Sequence, residues 1–326
     1  MKSEEMTTSQ IQPEIHVAPS PHVYNLGMST YTMMRDVLIA LVPLLFAAIF
    51  FFHWLAVKQL LICLVSSLAA ETLFTRMRGR HSSLGDLSAA VTGAILALSL
   101  PATAPWYVGV IGSGVAIGIG KIVFGGLGMN IFNPAMVGRA FVMIAFAGNM
   151  AASGYILPGQ GVDVISQATP LTAFQQSGIT TPLSALFFGA CNGSLGETSA
   201  LACLIGGLFL CIRRVASWEI PAGIILAVVL WGGLANLADP AGNWTVLHHL
   251  LAGALLFGAF FIATDPVTSP LTAKGKWIFG FGAGSLIMLL RIFSGYPEGV
   301  MFAVLFMNGI TPLINRWTIP RPFGGV

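Results

Sequence analysis

Thr169 lies in the run Asp163-Val164-Ile165-Ser166-Gln167-Ala168-Thr169-Pro170-Leu171-Thr172, a polar connection between long apolar stretches. A threonine hydroxyl is a weak nucleophile but a good acceptor for a transferred phosphate. Ser166 and Ala168 are small and leave room on its N-terminal side, and Pro170 biases Thr169 toward an extended backbone. Taken by themselves these residues read as an ordinary loop threonine. A second candidate is the run from Phe124 to Phe141, with Gly125, Gly126 and Gly128 ahead of Asn130 and the sequence Phe132-Asn133-Pro134-Ala135. Asn133 followed by Pro134 predicts a capped helix start, whose free N–H groups suit an electron-rich ligand edge. A tight re-entrant connection that satisfies its own backbone fits the same residues. The third candidate is Asp265 in Thr264-Asp265-Pro266. A carboxylate beside unwound backbone carbonyls suits a hard cation such as Na⁺; a helix-terminal aspartate in wet headgroups reads the same way.

The elements that must position these residues are membrane helices. Hydrophobic residues make up 56% of the 326-residue chain and charged residues 8%, against roughly 25% charged in a soluble domain. The unbroken apolar runs favour helices over alternating barrel strands. The first 30 residues lack an apolar core and are not a signal peptide. Ten spans are predicted, at about 37–57, 59–75, 86–100, 105–124, 134–148, 197–212, 220–237, 246–263, 276–293 and 298–315. With the N-terminus in the cytoplasm, only Lys58 and Arg291 of the 15 Lys and Arg fall on the far side, which is the positive-inside pattern. Lys121 and Arg139 then read as cytoplasmic-interface anchors and His248-His249 as solvated. The cysteines Cys63, Cys191, Cys203 and Cys211 form no CxxC pair and read mainly as small apolar side chains.

The chain also reads as duplicated. Ala90–Pro101, Gly109–Lys121 and Asn130–Pro134 parallel Gly253–Pro266, Phe279–Arg291 and Asn308–Pro312. Five spans per copy give opposite orientations, so the fold class is an all-α polytopic membrane protein of two inverted five-helix repeats with broken helices. The organisation is a cytoplasmic tail (1–35), a first repeat (36–148), an extracytoplasmic loop (149–196), a second repeat (197–316) and a cytoplasmic tail (317–326).

Three stretches together resemble one family. Asp163-x-x-Ser166-x-Ala168-Thr169 resembles the motif at which a bacterial membrane redox family joins FMN through its phosphate to Thr or Ser. Phe124–Phe141 resembles that family's glycine-rich stretch, and Thr264–Pro270 its second-half counterpart. This is the RnfD/NqrB family, found in the Rnf electron-transport complex and in the related sodium-pumping NADH:quinone oxidoreductase. One position departs from it: Gln167 stands where the family usually has Gly. The resemblance implies FMN held covalently by Thr169, with Asp163, Ser166 and Ala168 as its attachment motif. It implies a non-covalent second flavin, riboflavin among the candidates, with Asn130 and Asn133 as its contacts, and Asp265 on the ion path. It further implies electron transfer between ferredoxin and NAD coupled to Na⁺ or H⁺ movement in the bacterial inner membrane. The expected partners are the A, B, C, E and G members of the Rnf complex and a flavin transferase; neither nucleic acid nor a metal is expected. Two other classes suit the composition: a channel or facilitator without redox function, and a cofactor-free scaffold subunit.

Overall fold

The computed structural model describes residues 29–79, 83–151, 154–156, 164–166, 168–238, 244–294 and 298–320. Helix dominates. Thirteen α-helices, a 3-10 turn over Leu84–Asp86, two π-helical turns and one pair of three-residue strands make up the described elements. Helix α1 (Thr30–Met77) starts under Ser29, whose side chain accepts from the Thr32 amide. Its 48 residues would run about 72 Å if straight, but His53 breaks it at φ 48° and ψ −129°. Met34, near its start, lines a small cavity with Lys121, and Lys121 binds Glu71 near its end. Both ends of α1 therefore lie at one end of the bundle, and the chain folds back at His53. The spans predicted from hydropathy put this break near Lys58; no glycine or proline marks its true place.

The next elements are α2 (Ser88–Ser99), α3 (Trp106–Ile117) with a π-helical continuation over Gly118–Ile122, α4 (Pro134–Ala145) and α5 (Ala147–Ala151). Then come β1 (Gly154–Ile156), β2 (Val164–Ser166), α6 (Pro170–Ser177) and α7 (Leu183–Phe188). The second half holds α8 (Ala200–Ile212), α9 (Glu219–Ala238), α10 (Val246–Leu251) and α11 (Leu255–Phe257) with a π-helical turn over Gly258–Ile262. It ends with α12 (Ala273–Phe293) and α13 (Val300–Thr318). The predicted span at 246–263 is thus interrupted at Ala252–Ala254. Among the described residues α1, α9 and α12 are long and apolar enough to cross a membrane, and α2, α3, α4 and α8 are shorter apolar helices.

Lipid gives helices no hydrophobic reason to associate, so close backbone packing must hold them. The second arm of α1 packs on α3 and α9 packs on α12; α3 packs on α4 and α12 on α13. Glycines carry these seams. A Cβ on Gly138 of α4 would lie 2.5 Å from the Gly112 carbonyl of α3, and one on Gly280 of α12 would lie 2.5 Å from the Ile220 carbonyl of α9. Large apolar side chains such as Phe46, Trp54, Ile144 and Leu237 point outward, as lipid-facing positions require.

Candidate functional site

The first site forms around Thr169. Thr169 is the N-cap of α6, with φ −64° and ψ 157°, the extended backbone that Pro170 imposes. Its Oγ1 accepts from the Thr172 amide at 3.3 Å and lies 2.9 Å from Thr172 Oγ1. Ala168 is exposed and Thr169 half-buried. Ser166 ends β2, opposite Gly154 of β1; Asp163 and Gln167 lie outside the described residues. Helix α6 is anchored to the second half of the chain. Phe174 stacks on Trp244 with ring centroids 4.4 Å apart, and Gln175 Nε2 donates to the Arg291 carbonyl at 2.9 Å.

Thr169 opens onto a cavity of about 1180 Å³. Its walls include Met143 and Met150 from α4 and α5, Phe174 and Gln175 from α6, Trp244, and Phe302 of α13. Four charged side chains, Arg139, Glu197, Arg291 and Glu298, also line it. A turn over 194–197 places Glu197: Leu195 and Gly196 donate to the carbonyls of Leu100 and Leu98 at 3.2 and 2.7 Å. Arg139 lies 3.3 Å from Glu197 Oε1 and 2.8 Å from Glu298 Oε2. Arg291 donates to the carbonyls of His249 and Ala252 at 2.5 and 2.8 Å. Glu298 lies in the connection ahead of α13. Burial, with the charge of Glu197 and its hydrogen bond, holds it well above the usual carboxylate range.

The second site is at the opposite end of α4. Asn133 caps that helix, its Oδ1 accepting from the Met136 amide at 3.3 Å, with Pro134 in the first turn. The expected helix start is therefore formed. Asn133 also donates from its backbone to Asn308 Oδ1 at 3.2 Å and from Nδ2 to the Ile262 carbonyl at 3.3 Å. Asn308 in turn donates to the Thr268 carbonyl at 3.2 Å. Asn130 donates to the Phe132 carbonyl, and its Oδ1 is buried without a donor among the described residues. Asp265 accepts from the Val267 amide at 3.3 Å and from Thr268 Oγ1 at 3.2 Å. Asn130, Asn133, Asp265 and Lys121 line one cavity of about 70 Å³. The asparagine pair and Asp265, separate candidates in the sequence, are thus brought together, while Thr169 stands apart from them.

Two residues expected as interface anchors are buried instead. Lys121 is at 1% exposure, with Nζ 2.7 and 2.8 Å from the Glu71 oxygens and 2.6 Å from Ser88 Oγ. Arg139 is buried among the acids just described. His248 and His249, expected to be solvated, are buried too; the Trp244 indole donates to His249 Nδ1 at 3.3 Å. Glu197 and Glu298 are site residues that the motifs do not mark. One signal does point to them: with 12 Asp and Glu in the whole chain, any carboxylate at a span boundary is a functional candidate.

These features define a polytopic helical membrane protein with a large, mostly apolar cavity that carries four charged side chains at one end. The family model described as the NQR2, RnfD, RnfE family matches residues 16–324, and the chain belongs to that family. It is 40% identical over 312 residues to the D subunit of the Na⁺-translocating ferredoxin:NAD⁺ oxidoreductase complex of Acetobacterium woodii, covering 94% of this chain and 95% of that one. It is 41% identical to the D subunit of the ion-translocating oxidoreductase complex of Halorhodospira halophila, over 91% and 92% of the two chains. It is 38% identical to the D subunit of the proton-translocating ferredoxin:NAD⁺ oxidoreductase complex of Clostridium ljungdahlii, over 98% and 99%.

Proposed function

We propose that this chain is the membrane flavoprotein subunit of an Rnf-type complex, which couples electron transfer between ferredoxin and NAD to Na⁺ or H⁺ movement. FMN is joined through its phosphate to Thr169. The observation that carries this reading is the placement of the Thr169 hydroxyl at a cavity of about 1180 Å³, somewhat above the roughly 300–1,000 Å³ of usual ligand pockets. Ester formation at Oγ1 leaves that oxygen able to accept from the Thr172 amide, so the cap persists. The phosphate then lies at the N-terminus of α6, where unpaired N–H groups favour negative charge. Phe174 and Trp244 offer aromatic faces, and the exposed Ala168 leaves the flavin transferase an approach. When bound, the flavin supplies the electron chemistry; the chain fixes its place and its electrostatic surroundings.

We read the fold as ten spans in two inverted repeats, with both termini cytoplasmic and Thr169 on the extracytoplasmic side. The repeated helix packing and the Asn133–Asn308 contact, which joins the corresponding stretches 130–134 and 308–312 of the two copies, support that reading. The Asn130, Asn133 and Asp265 pocket then opens toward the cytoplasm. Its space of about 70 Å³ falls short of the roughly 300 Å³ at which ligand pockets begin, so a second flavin does not fit as the walls stand. The orphaned Asn130 Oδ1 and the Asp265 carboxylate suit a water or a small cation there instead. We assign Asp265 to the ion path.

Mass spectrometry of the peptide spanning Thr169 tests the tether. The wild type, made with an active flavin transferase, carries the mass of FMN less water; Thr169→Ser retains the group and Thr169→Ala is bare. An unmodified wild-type peptide rejects the assignment.

A further inference from the structure

The four charged groups in the cavity wall exceed what a tether requires. Glu197 and Glu298 converge on one guanidinium: Arg139 Nη2 lies 3.3 Å from Glu197 Oε1 and 2.8 Å from Glu298 Oε2. Two buried carboxylates gathered at one cation repel each other, which favours a proton on one of them. Arg139 contacts both acids, whereas Arg291 is held by backbone carbonyls. Arg139 and Arg291 are 8% and 5% exposed. The Nε atom of each is buried and lacks an acceptor among the described residues. Buried donors left in that state are costly, so the cavity must supply them with an acceptor. Two guanidinium ions and one carboxylate leave a net charge of +1, which balances the single negative charge of a phosphodiester at Thr169.

We propose that Glu197 and Glu298 form a proton-exchange site in the wall of the Thr169 cavity, binding a second proton when the group held there gains negative charge. The trigger rests on the flavin reading above; the acid pair does not. In the exchange, a carboxylate takes a proton from a hydronium ion in the cavity water, forming a carboxyl O–H bond and releasing water. No electron moves in this step, and loss of charge from the bound group reverses it. The added negative charge raises the affinity of the carboxylate for a proton, and the second proton restores neutrality. The other titratable groups facing the pair are Arg139 from α4, Arg291 from α12 and His249 from α10. The thiols of Cys191 and Cys203 lie near Glu197. Both thiols are pressed against backbone carbonyls, and His249 accepts from Trp244, so the acid pair is the group placed to exchange.

Infrared difference spectroscopy on the assembled complex tests this, recorded reduced minus oxidised and low minus high pH. The wild type shows a protonated-carboxyl stretching band that grows on reduction and shifts in D₂O. Glu298→Gln and Glu197→Gln lose the band while the Thr169 peptide keeps its flavin mass. Glu298→Asp displaces the band without abolishing it, and carries the assignment should the glutamine variants fail to assemble. A reduction-induced band unchanged in Glu298→Gln, or no such band in the wild type, overturns the proposal. Failure of the flavin reading shows separately, as a bare Thr169 peptide in a protein whose pH-difference band still depends on Glu298.

Discussion

Lys121 shows what a single residue costs and contributes here. An ammonium group buried to 1% exposure is tolerated because Glu71 and Ser88 surround it. Removing one partner leaves the other charge buried and uncompensated, at a cost of about 3–5 kcal/mol. Lys121→Met should therefore lower the thermal midpoint in detergent well below that of the wild type, and adding Glu71→Gln should recover much of the loss. A double variant no more stable than the single one contradicts the pairing. This ion pair is not legible in the chain, because its partners are 50 residues apart and composition shows only that a lysine lies near a span end. The same holds for Arg139, whose partners Glu197 and Glu298 come from separate connections. Thr169 is legible as a position through its flanking Pro170, which fixes its backbone, but its place at the edge of a cavity depends on α6 packing against Trp244.

At the scale of the element, the local rules work where a cap or a proline acts on its neighbours. Asn133 caps α4, Thr169 caps α6 and Thr272 caps α12, and in each case the hydroxyl or amide stands just before the first helical residue. The break in α1 escapes them because His53 takes a left-handed backbone with no glycine to announce it. The interruption at Ala252–Ala254 escapes because the run is apolar throughout, and hydropathy does not tell a continuous helix from a broken one. Seams between helices are set by small residues that the chain shows plainly but does not pair. Gly280→Val would press a branched side chain onto the Ile220 carbonyl, which the structure places 2.5 Å from an added Cβ. A loss of about 1–3 kcal/mol is expected from such overpacking, read as a lowered thermal midpoint with α9 and α12 no longer protected from hydrogen exchange. Substitution at Gly233, which has open space around it, should leave the midpoint near the wild-type value.

At the scale of the whole molecule, the structure has two distinct ends, and Arg139, which the charge count puts with the cytoplasmic set, lies instead at the Thr169 cavity. Asp36 and Arg213 pair at 2.9 Å, and Lys276 donates to Ser217 Oγ at 2.6 Å, so basic residues distant in sequence gather at the end that holds Asp265. The Thr169 cavity gathers the opposite termini of α4, α9 and α12. Orientation in the bilayer follows from the proposal and has a direct check. A cysteine at the exposed Ala168, in a chain whose own cysteines are replaced, should react with a membrane-impermeant maleimide in intact cells; protection there, with labelling only after lysis, reverses the topology. The membrane class and the helical architecture are readable from composition and hydropathy. The cavity is not, because its walls come from both halves of the chain.

Helix α4 belongs to the first half and packs there on α3, yet its buried polar contacts reach into the second half. Asn133 at its start holds Asn308 and the Ile262 carbonyl, and Arg139 two turns on holds Glu197 and Glu298. A rod clamped at both places to the opposite half cannot serve as the pivot of a rocking motion without breaking several buried polar contacts at once. The protein is consequently built as a rigid frame, and any gate that opens and shuts during turnover must be sought at its margins or in neighbouring subunits.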